Sequence, residues 1–128
     1  MLKQVFLLAA LFWTGLILFF CLVNSNELKQ ITIPNFDKVI HVFFHFVFTA
    51  LWFLFFKKKL NDSSKYKVFT ISVVLSLFFG ILIELLQQYF TTTRTGDIFD
   101  IMANLLGALL AVASIVLINK FNGIVDKI

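Results

Sequence analysis

Residues 68–90 read VFTISVVLSLFFGILIELLQQYF, an apolar run with no Lys, Arg or Asp and a single acidic residue, Glu84. A helix needs about 20 mostly apolar residues to cross roughly 30 Å of hydrocarbon, so this stretch belongs in a membrane. Three further segments meet the same requirement, at about 5–23, 39–56 and 98–118. The first carries no charge, the second contains His41, His45 and Thr49, and the fourth begins with Asp100 and Asn104. Composition agrees, with 60% of residues hydrophobic and 14% charged. An ordinary globular domain is about 25% charged, so a soluble enzyme, a disordered tail and a disulfide scaffold are excluded. The one cysteine, Cys21, can form neither an internal disulfide nor a cysteine-based metal cage.

The expected fold is an all-α membrane protein, four transmembrane helices in an up-down bundle. Short connections make successive helices antiparallel, and no Gly/Ser linker or repeat divides the chain, so residues 1–128 read as one transmembrane domain. A secretory signal peptide competes for the first segment, with Lys3 as its basic start and Val23-Asn24-Ser25 as a cleavage site. The apolar run exceeds the roughly 7–15 residues of a signal-peptide core, which favours a retained helix.

Orientation follows from the flanking cations. Lys3, the cluster Lys57, Lys58, Lys59, Lys65 and Lys67, and Lys120 and Lys127 fall on one side, against Lys29, Lys38 and Arg94 on the other. The richer side is expected to be cytoplasmic, which puts both termini there in an integral, multi-pass protein of the cell membrane. The same cluster reads as a topology signal rather than a nucleic-acid patch, so membrane lipids are the expected partners.

At about 1.5 Å per residue, this orientation places His41 about 6 Å and His45 about 12 Å below the outer boundary marked by Asp37. Glu84 lies within about 6 Å of that boundary, and Asp97, Asp100 and Asn104 descend from it on the fourth helix. The inner halves of the helices read as nearly free of polar side chains. Asp37, His41 and His45 recur at i, i+4, i+8, while Asp97, Asp100, Asn104, Gly107 and Ala111 follow one face. Facing lipid is costly for such groups, so the stripes should turn inward and meet. Gly107, Ala108 and Ala111 should let a neighbouring backbone approach closely beneath them.

The ordered set Asp37-Lys38-x-x-His41, Glu84-x-x-Gln87 and Arg94-x-x-Asp97-x-x-Asp100-x-x-x-Asn104-x-x-Gly107 resembles the signature of VanZ-like membrane proteins. The resemblance runs from the second helix onward, and the first helix carries no signature residue. It implies a small polytopic protein of the cell envelope, in a family named for an antibiotic-resistance accessory gene associated with low-level teicoplanin resistance.

On chemistry, His41, Glu84 and Asp100 are the candidate catalytic residues, because an imidazole facing a carboxylate can act as a general base or proton shuttle. Asp37, Gln87, Arg94, Asp97 and Asn104 are the candidate ligand-binding residues. Arg94 would clamp an anionic headgroup, such as a lipid-linked phosphate, while Asn104 is expected to donate a hydrogen bond across the bundle. The competing reading is a non-catalytic, partner-binding or structural component whose polar layer only locks the bundle. His45, among Phe44, Phe46 and Phe48, reads as a satisfied core residue. A transporter is disfavoured, since a proton relay needs stations across the whole membrane. His41, Glu84, Asp97 and Asp100 could supply a divalent ion, but this is the weaker elaboration and no metal site is expected. His41-x-x-x-His45 has Val42 where a zinc protease places Glu, and no Ser shares the depth of His41. The sequence points to no particular cofactor or oligomeric state.

Overall fold

Each apolar run becomes one helix in the computed structural model, which describes residues 1–22, 36–60, 64–90 and 98–128, the side chains of Phe36 and Asp37 excepted. The helices are α1 (Leu2–Leu22), α2 (Phe36–Lys59), α3 (Lys65–Phe90) and α4 (Ile98–Asn122). All four are long and apolar enough to cross a membrane, and no strand occurs among the described residues. The protein is an all-α, multi-pass membrane protein built as an up-down bundle.

The helices extend beyond the apolar windows. α2 continues through Lys57, Lys58 and Lys59, and α4 continues to Asn122. A hydropathy window stops at the first charges, whereas the backbone hydrogen-bond ladder does not. Lysines in a last turn also face the negative end of the helix dipole and favour its extension.

α2 and α3 each touch every other spanning helix, while α1 and α4 do not meet among the described residues. Lipid is as apolar as leucine, so close packing and interhelical hydrogen bonds decide which faces join. Phe48 of α2 stacks on Phe79 of α3 with ring centroids 4.9 Å apart, and Phe53 stacks on Phe69 at 4.6 Å. Two indoles pin α1 to α2: Trp13 donates to the Phe44 carbonyl at 3.0 Å, and Trp52 to the Thr14 hydroxyl at 3.2 Å. Leu8, Phe12, Phe78 and Leu109 face outward, where lipid would cover them.

Hydroxyls further along the helices also turn inward, and Thr49, Ser72 and Ser76 are fully buried. Such hydroxyls are tolerated in an apolar interior when they find an acceptor nearby. Ser72 donates to the Val68 carbonyl one turn back, at 2.9 Å. A fifth helix, α5 (Ile124–Lys127), is too short to leave a periodic signal in the sequence. Gly123 supplies the left-handed turn before it, at φ 63°, and Val125 then packs with Phe53 and Val68.

Candidate functional site at one mouth of the bundle

The site begins with a close approach between α2 and α4. A Cβ at position 107 would collide with the Val42 carbonyl oxygen and lie 3.0 Å from the Val42 carbonyl carbon. Only glycine allows this separation. Ala108 and Ala111 are fully buried on the same helix. The expected small-residue contact is therefore present, and its partner is α2 next to His41. Asn104 and Asp100, one and two turns before Gly107, are consequently carried against the first turns of α2.

His41 is held from two sides. Its Nδ1 lies 3.0 Å from Asn104 Oδ1, and its Nε2 lies 3.5 Å from Asp100 Oδ2. A carboxamide oxygen can only accept, so Nδ1 carries the proton and donates to it. Asn104 was expected to donate, yet here it accepts from the imidazole. Its own Nδ2 sits where Gly80 of α3 leaves room, since a Cβ at position 80 would lie 2.6 Å from it.

Asp100 stands in the first turn of α4, where the helix dipole favours a carboxylate. Lys38 Nζ approaches its other oxygen, Oδ1, at 2.6 Å. Lys38 retains partial exposure, with 24% of its side chain accessible, whereas the Asp100 side chain is 9% accessible. Lys38 thus forms the rim of the cluster and Asp100 its floor.

Glu84 arrives from the last turns of α3 and is buried. One ligand atom from each of His41, Glu84 and Asp100 lies within 4.8 Å of the other two. The three predicted catalytic residues therefore meet, contributed by three different helices. Antiparallel packing makes this possible, because the starts of α2 and α4 share a level with the end of α3. The arrangement can pass a proton between imidazole and carboxylate or hold a cation.

The predicted binding residues divide. Asn104 belongs to the cluster. Gln87 is buried and its Nε2 donates to the Cys21 carbonyl at 2.8 Å, tying α3 to the end of α1. Arg94 and Asp97 lie outside the described residues, as does the side chain of Asp37. His45 sits one turn deeper, with Nδ1 2.8 Å from the Ser76 hydroxyl and its ring beside Phe48 and Phe79. Sequence reasoning missed Lys38 as a site residue. Its place three residues before His41, on the same helical face, was the available signal.

Four spanning helices enclosing an imidazole and two carboxylates at one mouth define a polytopic membrane protein with a buried polar site. The chain belongs to the VanZ/LLP1 family, whose match covers residues 5–119 and so includes α1. It is also similar to an uncharacterized protein of Schizosaccharomyces pombe, at 36% identity over 88 residues, covering 69% of this chain and 51% of that protein. The chain spans about half the length of this curated relative. No solved structure matches the chain.

Proposed function

We propose that this VanZ-family protein binds or modifies the anionic headgroup of a lipid or lipid-linked phosphate at the outer face of the cell membrane. Through that headgroup it affects envelope properties, glycopeptide (teicoplanin) susceptibility among them. The observation that carries this reading is the burial of His41, Glu84 and Asp100 together beneath a partly exposed lysine. Two carboxylates and an imidazole removed from water are expensive to keep as packing, and ion pairs in such places add little net stability. Lys38, with Arg94 above it in the sequence-based topology, offers positive charge where a headgroup phosphate would lie. His41 and its two carboxylates supply proton transfer to a bond in that headgroup. Asp37 and Asp97, by their places in the sequence, join the site in this reading, whereas Gln87 is already engaged with the Cys21 carbonyl. The orientation is part of the proposal: with both termini cytoplasmic, the mouth formed by α2, α3 and α4 opens outward.

The test is purification with native lipid, followed by mass spectrometry of the co-purifying phospholipids and polyprenyl phosphates. Wild type should retain a defined phosphate-bearing lipid, and Lys38→Gln and Arg94→Ala should each reduce its retention. If both variants keep the same lipid and the same envelope phenotype, the polar layer is only a structural lock.

A further inference from the structure

Three features of the site point beyond a phosphate clamp. The first is its spacing. In a divalent-metal site with ligand bonds near 2.1 Å, neighbouring ligand atoms stand about 3.0–3.4 Å apart. His41 Nε2 and Asp100 Oδ2 are already 3.5 Å apart, and one ligand atom from each of His41, Glu84 and Asp100 lies within 4.8 Å of the other two.

The second feature is the tautomer. Asn104 Oδ1 accepts from Nδ1, so in the neutral ring Nε2 presents its lone pair toward the Asp100 carboxylate. A lone pair facing a carboxylate oxygen is repulsive unless a proton or a cation lies between them. Metal-bound histidines are held in this way, with the distal nitrogen bonded to an oxygen acceptor.

The third is charge. Lys38 approaches Oδ1 of Asp100 on the rim side, and the other oxygen, Oδ2, faces His41. A divalent ion on Oδ2, Glu84 and Nε2 would add positive charge beside Lys38, where an incoming anion would meet both. One nitrogen and two oxygen donors suit a borderline first-row ion.

We propose that His41 Nε2 and one carboxylate oxygen each from Glu84 and Asp100 form a three-ligand site for a divalent cation such as Mn²⁺ or Zn²⁺. Asn104 orients the imidazole, and three protein ligands leave at least one coordination position for water or a phosphate oxygen. The proposal rests on the site assigned to headgroup binding and identifies what that site would offer a phosphate oxygen: a metal ion beside Lys38. An open position next to three protein ligands is the arrangement of a reactive rather than a purely structural metal site.

The experiment loads the full chain in nanodiscs, stripped with chelator, with Mn²⁺ alone. Electron paramagnetic resonance then counts the bound ions, and electron spin echo modulation identifies the coordinated nitrogens. The expected result is one Mn²⁺ per chain, coupled to one directly bound imidazole nitrogen and displaced by Zn²⁺. His41→Ala, Glu84→Gln and Asp100→Asn should each abolish the site, and Asn104→Ala should weaken it by about 10–100-fold. No bound Mn²⁺, or Mn²⁺ without a nitrogen coupling, overturns the proposal. Because the signature is read on wild type, it does not depend on any variant folding.

Lys38→Gln separates the two readings. Removing the competing ammonium from Asp100 should leave Mn²⁺ affinity unchanged or raise it, while lipid retention falls. Wild type that retains lipid but binds no Mn²⁺ refutes the cation site alone. Wild type that binds Mn²⁺ but retains no phosphate-bearing lipid refutes the headgroup reading alone.

Discussion

Gly107→Ala tests the contact on which the site depends. The added methyl would strike the Val42 carbonyl oxygen and lie 3.0 Å from the Val42 carbonyl carbon and 3.1 Å from the Phe46 nitrogen. Carbon contacts prefer about 3.5–4.0 Å, and backbone atoms cannot rotate away as a side chain can, so α2 and α4 must part by roughly 1 Å. Overpacking of this kind costs about 1–3 kcal/mol. Alanine exceeds glycine in helix propensity by about 1 kcal/mol, so the expected net loss is about 0–2 kcal/mol. The same displacement would stretch the His41–Asn104 hydrogen bond from 3.0 Å beyond hydrogen-bonding range. Unfolding in mixed detergent micelles measures the first effect, and Mn²⁺ affinity measures the second. Gly15→Ala is the matched control, because nothing lies within 4 Å of a Cβ there. It should be neutral or stabilising by up to about 1 kcal/mol. If Gly107→Ala were as stable as Gly15→Ala, the close approach would not be what positions the site.

Ser76→Ala should cost about 1–2 kcal/mol in the same unfolding assay, because it leaves a buried His45 nitrogen without its partner. Ser72→Ala should stay within about 0.5 kcal/mol, since that hydroxyl bonds only within its own helix. At the other end of the bundle, hydrogen bonds from Lys65 and then Asn119 hold the Asp126 carboxyl below its ordinary value. A lowered carboxylate value means the stabilisation is present above the unfolded-state value and lost as pH falls through the folded one. Hydrogen exchange of the α5 amides should therefore speed up in that acidic window, and Lys65→Gln should remove most of the pH dependence. For topology, in a Cys21→Ser background, an impermeant thiol reagent added outside should label Tyr89→Cys and not Ser64→Cys. The reverse pattern would place the polar mouth on the cytoplasmic side.

Much of the site could be read from linear spacing. His41, Glu84 and Asp100 each lie near the same end of a span, and the costs of charge in lipid turn such residues inward. The pairings could not be read in this way. That Asn104 accepts rather than donates, that Lys38 takes one oxygen of Asp100 and leaves the other to His41, and that Gln87 reaches the end of α1 all depend on helix rotation. Rotation is set by contacts such as Gly107 against Val42, which involve residues far apart in the chain.

The sequence by itself determined the membrane class, the four spans and the common depth of the polar residues. Length, hydropathy and a fixed rise per residue are local properties of one helix at a time. Only the tertiary structure decided where hydrophobicity gave no instruction. It buried Ser72, Ser76 and Thr49, folded α5 back so that Val125 packs against Phe53, and brought three helices to one imidazole. In lipid every apolar face is equally at ease, so the choice among faces falls to small-residue contacts and polar bonds between helices, and those exist only once the bundle has assembled.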